Sequence, residues 1–206
     1  MIWNSLNTGD YEGMIAETIS ITGYQGDTIR AYYSRPLGAG PYPGIVLIPH
    51  MPGWDEFLRE TARRFTQHGY SVLCPDIYGR FGTGTPTEVS RMMREAGGVS
   101  DDSVMGDCDG ALRFLRNQTQ SNGKTGVIGM CSGGRHTFLA ACTLEHVDAA
   151  VDCWGGAVVM EPQELTQTRP VSPSDYAANL NCPLLGIFGN DDKRPDRAEV
   201  DKLEEI

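Results

Sequence analysis

Apolar runs and segments of helical period follow one another along most of the chain. Residues 44–48 are continuously apolar and β-branched, which is typical of a parallel strand buried on both faces. Further strands are predicted at 70–74, 125–129, 147–153 and 184–188, the last again as a buried strand. Helices are predicted at 56–68, 88–95, 101–116, 133–144 and 197–205. Strands that alternate with helices indicate an α/β fold, with a mostly parallel sheet and helices on both faces.

The N-terminal part of the chain has a different pattern. Residues 16–22 and 28–34 have the character of strands, and Gln25-Gly26-Asp27 between them supplies a turn. We therefore predict an antiparallel β-hairpin ahead of the parallel sheet, and a loose lead-in over the first ten residues.

Composition and charge narrow the class of protein. The 206 residues are 40% hydrophobic and 21% charged, which predicts a single globular domain over residues 1–206. A net charge of −10 disfavours binding to nucleic-acid phosphates. Membrane association is not expected, because no apolar run has the length of a membrane span, and residues 1–5 lack the features of a secretory signal. We expect a cytoplasmic protein.

The six cysteines form no CxxC pair and do not suggest a zinc site. They are Cys74, Cys108, Cys131, Cys142, Cys153 and Cys182. All except Cys131 are expected to be reduced, mostly buried thiols, and no metal is predicted.

The strongest chemical signal is the Gly129-x-Cys131-x-Gly133 turn between a predicted strand and a predicted helix. This is the pattern of a nucleophile elbow with cysteine as the nucleophile. The turn is so tight that a side chain at either glycine would collide with backbone. The sulfur would lie at the N-terminus of a helix, which favours the thiolate. The N–H of Ser132 would be free to donate to an oxyanion.

The loop after the first buried strand, residues 49–54, is expected to supply the second oxyanion N–H. Pro52 has no N–H, so Met51 is the better candidate. His50 lies at the mouth of the predicted site, where a polar liner, an electrostatic partner of the thiolate and a simple loop histidine remain open alternatives.

The triad acid is expected just after the strand at 184–188, where Asp192 has the expected spacing and Asp191 is the alternative. The base follows the acid in this triad order, but no histidine follows Asp192. Residues 196–206 have the pattern of the helix that separates acid from base. We therefore expect a C-terminally truncated domain, without the last strand and helix, and a catalytic histidine beyond residue 206.

Together these features resemble the dienelactone hydrolase (carboxymethylenebutenolidase) family of α/β-hydrolases. The resemblance covers the chain from about Glu17 onwards. It rests on residues 49–54 and 57–61, on Gly69-Tyr70-x-x-Leu73-Cys74-Pro75-Asp76-x-Tyr78-x-Arg80, on residues 121–124, and on the cysteine elbow. It implies an α/β-hydrolase fold and a Cys-Asp-His triad in which Cys131 and Asp192 fill the first two positions.

The resemblance also implies a substrate pocket, with departures. Members that act on dienelactone often carry a glutamate where this chain has His50-Met51. The family's carboxylate-binding arginines have no certain match, and Arg80, Arg91 and Arg94 are candidates. We take His50, Trp54, Arg80 and Arg94 as the expected substrate contacts.

The expected function is hydrolysis of a small ester or lactone through Cys131, without metal or organic cofactor. The alternatives are a non-catalytic binding protein on this fold, and an acyltransferase or peptidase. The expected partner is a small-molecule ester or lactone, and the expected state is a monomer or weak homodimer.

Overall fold

The predicted strands form one mixed sheet in the computed structural model, which describes residues 13–51 and 53–206. The strands are β1 (Met14–Thr22), β2 (Thr28–Pro36), β3 (Tyr42–Ile48), β4 (Ser71–Pro75), β5 (Ser121–Met130), β6 (Ala149–Cys153) and β7 (Leu184–Ile187). Their order across the sheet is β1-β2-β4-β3-β5-β6-β7. From β4 to β7 all neighbours are parallel, so these strands end at the same edge of the sheet.

The N-terminal hairpin is confirmed. β1 pairs with β2 antiparallel from Met14↔Pro36 to Thr22↔Thr28, and a short 3₁₀ turn at Tyr24–Gly26 closes it. β2 in turn pairs antiparallel with β4, which joins the hairpin to the parallel strands. The predicted lead-in over the first ten residues lies outside the described residues.

Five helices of the described chain connect and cover the strands. They are α1 (Glu56–Gln67), α2 (Pro86–Glu95), α3 (Asp101–Arg116), α4 (Ser132–Thr143) and α5 (Arg197–Glu205). The bounds of α3 and α5 are those that the sequence predicts. Asp55 caps α1, where its side chain accepts a hydrogen bond from Leu58 N. None of these helices is long and apolar enough to cross a membrane.

The predicted cover on both faces of the sheet is also confirmed. Leu47 of β3 packs in a cluster with Leu58 and Ala62 of α1. Its neighbours Val46 and Ile48 point to the opposite face and pack in the larger cluster that α3 and α4 complete. The C-terminal ends of β3 and β5 therefore lie between two packed apolar clusters.

The strand at 184–188 lies at the edge of the described sheet, where Leu185 is 57% and Ile187 46% exposed. Its apolar run is the same as that of a central strand, but β6 is its one neighbour in the described sheet. One local prediction is wrong: the strand predicted at 125–129 begins earlier, at Ser121, so that Asn122-Gly123 lie inside β5, where the pairing with β3 shifts register and Gly123 has a φ of 78°.

Candidate active site

Cys131 occupies the turn between β5 and α4 in a strained backbone conformation. Its φ and ψ are 56° and −121°, values that residues other than glycine rarely adopt. The Cys131 N–H donates to Cys153 O at 3.0 Å, which ties the turn to the neighbouring strand β6. The Cys131 side chain is exposed at the C-terminal edge of the sheet. Such strain is typical of functional turns.

The two glycines of the motif make room for this turn. A Cβ at Gly129 would lie 2.2 Å from Gly133 O, and a Cβ at Gly133 would lie 2.3 Å from Ile48 O. Both distances are far below van der Waals contact, and both neighbours are backbone atoms. The steric reason that the sequence suggests for Gly129 and Gly133 is therefore present in the structure.

Cys131 differs from the other thiols in its surroundings. Cys74 and Cys108 are fully buried, and burial raises the pKa of each well above its usual range. Burial also raises the pKa of Cys142, to about 11. Cys131 is instead exposed and is the N-cap residue of α4, where the helix dipole favours a negative charge. Ser132, the first residue of α4, has an N–H with no acceptor inside the helix.

The β3–α1 loop, residues 49–55, passes beside this helix N-terminus. Met51 is half-buried, and its Sδ lies 3.5 Å from Nη1 of Arg94 on α2. Gly53 has a φ of 101°, and a Cβ there would lie 2.6 Å from the ring of Tyr78. The described part of the loop is thus packed between α2 and Tyr78. Pro52 lies outside the described residues.

Tyr78 belongs to the site although the sequence analysis assigned it no role. Its hydroxyl lies 3.5 Å from Ser132 Oγ, and its side chain is buried. Burial raises the pKa of Tyr78, so the phenol is neutral at ordinary pH. The only signal in the sequence was its place in the Cys74-Pro75-Asp76-x-Tyr78 motif.

His50 forms a pair with a carboxylate. Its Nε2 lies 3.1 Å from Asp55 Oδ2, while Asp55 Oδ1 accepts from Leu58 N to cap α1. The His50 side chain is mostly buried, at 16% exposure. None of the described hydrogen bonds joins His50 to Cys131.

Asp192 lies in the exposed turn after β7, at the same sheet edge as Cys131. Its Oδ1 accepts from the N–H groups of Lys193, at 2.7 Å, and Arg194, at 3.3 Å. These bonds fix the carboxylate and leave Oδ2 free to accept from another donor. The Asp191 side chain makes no such bond within the described chain.

Arg80 is paired with the carboxylates of Asp27 and Asp107. Its Nη1 and Nη2 donate to both oxygens of the fully buried Asp107, at 2.6 and 2.8 Å, and its Nε donates to Asp27. These hydrogen bonds raise the pKa of Arg80 above its usual range. Because each of its three side-chain nitrogens donates to a carboxylate, Arg80 is a weaker candidate for a substrate contact than Arg94. It links α3 to the hairpin turn instead.

Arg94 and Arg169 differ from most arginines of the described chain, which pair with a carboxylate, as Arg91 does with Glu95. Within the described residues, Arg94 has only its contact with Met51, and the Arg169 guanidinium has no hydrogen-bond partner. Arg169 is half-buried, and burial lowers its pKa. Its positive charge lowers the pKa of Tyr78, against the larger effect of burial.

Trp54 lines a cavity of about 480 Å³ together with Tyr78. Its Nε1 donates to Cys74 O at 3.1 Å. Arg30 and Arg59 lie over its ring, 5.3 and 5.7 Å from the ring centre. Trp54 therefore borders a polar space on the side of Tyr78 that faces α2.

No group of three metal-ligating side chains converges in the described part of the chain.

The sequence analysis also did not identify two buried carboxyl groups, those of Asp101 and Asp152. Asp101 accepts from both terminal nitrogens of the buried Arg135, at 2.5 and 2.9 Å. Burial alone would raise the pKa of Asp101, but His136 and Arg135 outweigh it and hold the pKa at about 2. Burial raises the pKa of Asp152 on β6 to about 6. A periodic pattern does not reveal such polar residues in core positions.

Comparisons with known proteins agree with this arrangement. The sequence profile of the dienelactone hydrolase family matches residues 29–206. The carboxymethylenebutenolidase of Pseudomonas putida is 36% identical over 162 residues, which are 76% of this chain and 68% of that protein. A candidate carboxymethylenebutenolidase of Methylorubrum extorquens is 33% identical over 199 residues, 95% of this chain and 67% of its own length. Among solved structures, a candidate dienelactone hydrolase from Klebsiella pneumoniae is 30% identical, with a TM-score of 0.84, and the match covers 94% of this chain and 80% of that one.

Proposed function

The chain belongs to the dienelactone hydrolase family of α/β-hydrolases, and we propose that it hydrolyses a small ester or lactone through the thiolate of Cys131. The observation that carries the proposal is the strained elbow, which presents one exposed thiol at a helix N-terminus. Family membership favours this hydrolase over the non-catalytic binding protein.

In the proposed reaction the Cys131 sulfur attacks the carbonyl carbon. A bond from sulfur to carbon forms, and the carbonyl oxygen takes up the negative charge. The N–H of Ser132 and that of Met51 are the proposed donors to this oxyanion, since both belong to segments packed around the elbow. Collapse of the intermediate expels the alcohol oxygen, and water then releases the acyl group.

We propose Asp192 as the triad acid, in preference to Asp191. The two backbone N–H groups that hold its Oδ1 support this choice, because an acid that orients a histidine must itself be fixed. The partner histidine is proposed to lie outside residues 1–206, since no hydrogen bond joins Asp192 to any of the four histidines within them.

The expected experiment is a burst assay with p-nitrophenyl acetate, which reports acylation alone. We expect a stoichiometric release of p-nitrophenol and an acetyl group on Cys131, detected by mass spectrometry. Cys131→Ala should abolish the burst, whereas Cys182→Ala, which alters a half-buried thiol, should keep it. A burst that survives in Cys131→Ala would exclude this nucleophile.

Arg94 and Arg169 support a substrate that carries a negative charge. Most cations of the described chain have a carboxylate partner, whereas Arg94 and Arg169 have none; Arg94 contacts Met51, and the charge of Arg169 lowers the pKa of Tyr78. A half-buried guanidinium gains most from an anion in the site. His50 and Trp54 are kept as proposed substrate contacts, and Trp54 lines the cavity beside Tyr78.

This part of the proposal predicts a preference that can be measured. Arg94→Gln and Arg169→Gln should slow acylation by the mono-p-nitrophenyl ester of a dicarboxylic acid, about tenfold, with little effect on p-nitrophenyl acetate. Arg91→Gln is the matched control, because Arg91 lies on the same helix and already pairs with Glu95. Equal losses on both esters would contradict an anion subsite.

A further inference from the structure

Tyr78 is a buried phenol whose hydroxyl lies beside the first residue of α4. It follows β4, is 2% exposed, and lines the cavity of about 480 Å³ that Trp54 borders. Its hydroxyl oxygen lies 3.5 Å from Ser132 Oγ. Ser132 also carries the backbone N–H that we propose as an oxyanion donor. The Tyr78 hydroxyl therefore lies one short side chain away from that donor.

The Tyr78 ring is held in place by its surroundings. Gly53 of the β3–α1 loop has a φ of 101°, and a Cβ there would lie 2.6 Å from the ring carbon Cδ2. Tyr78 is also the N-cap of the short 3₁₀ turn Gly79–Phe81, where its carbonyl oxygen accepts from Phe81 N at 3.0 Å. A donor fixed in this way needs no rearrangement when charge develops on a substrate, and this is the condition for strong electrostatic stabilisation.

The Tyr78 hydroxyl keeps its proton at ordinary pH and is therefore available as a donor. Burial raises its pKa, and the hydroxyl of Ser132 and the charge of Arg169 lower it by less. The charge of a Cys131 thiolate raises the pKa further, so the phenol interacts electrostatically with the proposed nucleophile. A neutral phenol can donate a hydrogen bond without giving up its proton.

The distance between the two hydroxyls suits an acceptor that both share. An O–H···O hydrogen bond normally spans about 2.7–2.8 Å, so the contact of 3.5 Å between Tyr78 and Ser132 is weak. Two donors at this separation can each reach a third oxygen at about 2.8 Å. Catalytic hydrogen bonds that are long without substrate commonly tighten in the reacting complex. The spacing thus fits a charged oxygen between Tyr78 and Ser132.

We propose that the Tyr78 hydroxyl donates a hydrogen bond to the oxyanion that forms when Cys131 attacks the substrate carbonyl, together with the N–H of Ser132. The sulfur–carbon bond forms, the carbonyl electron pair moves onto oxygen, and the phenol O–H bond stays intact. No other reactant is needed. In this assignment Tyr78 contacts the reacting oxygen and is a catalytic residue. The inference rests on the proposed function, because it needs Cys131 as the nucleophile.

The test compares two reactions of the same sulfur on the whole 206-residue chain. Acylation of Cys131 by p-nitrophenyl acetate passes through an oxyanion, whereas alkylation by iodoacetamide displaces iodide and forms none. Tyr78→Phe keeps the ring and removes only the hydroxyl. Tyr33→Phe is the matched control, because Tyr33 is a second buried phenol of the same apolar cluster and lies on β2. Thermal melts establish the temperature at which every variant is folded.

We expect Tyr78→Phe to slow acylation about 10²-fold, the usual effect of removing one oxyanion donor, and to change alkylation less than about twofold. Tyr33→Phe should leave both rates at the wild-type values. In a Ser132→Ala background Tyr78→Phe should slow acylation by a similar factor, because the phenol donates to the oxyanion directly.

Three results would overturn the inference and leave the proposed function intact. They are a wild-type acylation rate in Tyr78→Phe, an equal slowing of acylation and alkylation, and no effect of Tyr78→Phe in the Ser132→Ala background. The second would mean that Tyr78 acts on the thiol or the fold, and the third that it acts through the Ser132 hydroxyl. If Tyr78→Phe melts early, both rates are measured well below its melting temperature. If wild-type Cys131 is alkylated but never acylated, the proposed function itself fails.

Discussion

Replacing Asp152 by asparagine should stabilise the protein at neutral and alkaline pH. Asp152 is 1% exposed, and only its Oδ1 is hydrogen-bonded, to Gly155 N at 2.8 Å. The other oxygen has no partner within the described residues. Burial raises the pKa of this carboxyl from 3.8 to about 6, and the Gly155 N–H offsets only part of the effect.

The pKa shift sets the size of the effect. A difference of about 2 pKa units corresponds to about 3 kcal/mol of stability, at 1.36 kcal/mol a unit. Because the folded state has the higher pKa, it binds the proton more tightly than the unfolded chain. The stability contributed by the proton is complete below about pH 4 and is lost as the pH rises through about 6. Asparagine has the shape of the neutral form at every pH.

Denaturant unfolding of both proteins between about pH 4 and pH 8 measures this difference. The advantage of Asp152→Asn should grow to about 3 kcal/mol at pH 8 and nearly vanish at pH 4. Asp148→Asn is the control of opposite sign. Burial raises the pKa of Asp148, but the hydrogen bonds from Lys124 and Thr125 N lower it by a larger amount. The Asp148 carboxylate therefore stabilises the fold above pH 4. A pH-independent difference for Asp152→Asn would refute the reasoning.

Two further changes test the elbow and its support. Gly133→Val should lower the free energy of unfolding by about 1–3 kcal/mol or more, because the added Cβ would meet Ile48 O. Cys131→Ala should melt near the wild type. Equal melting temperatures of the two variants would argue against a strained turn. Asp101→Asn should cost about 2 kcal/mol above pH 4, and wild-type stability should fall as acid protonates Asp101 toward pH 2, a dependence that the variant should lack in denaturant titrations.

The order of elements could be predicted from the sequence because each signal is local. The helix at 101–116 is bounded by Ser100, whose side chain accepts from Ser103 N, and the elbow needs its two glycines within four residues of each other. Edge and centre of a sheet are not local properties. The apolar run of Leu184 to Phe188 does not distinguish the two, and in the described sheet β7 has one neighbour and exposes Leu185.

The same distinction between local and non-local signals applies to the site residues. Cys131, Met51 and Asp192 follow strands whose ends are visible in the sequence, so their common edge could be inferred. The pairing of Arg80 with Asp107 could not be inferred, because Asp107 lies on α3, 27 residues further along the chain. Tyr78 was missed for a similar reason, since its hydroxyl meets Ser132 only after β4 and β5 are placed in the sheet.

The structure also divides the candidate machinery into a rigid half and an exposed half. The elbow and the β3–α1 loop lie at the centre of the sheet, where a Cβ at Gly133 would strike Ile48 O and one at Gly53 would strike Tyr78. Oxyanion donors held in this way need no rearrangement as charge develops, which is the condition for strong electrostatic stabilisation. Asp192 instead follows the edge strand β7 and is exposed. Local opening at that edge would therefore displace the proposed triad acid first, while the thiol and the proposed oxyanion donors stay in place.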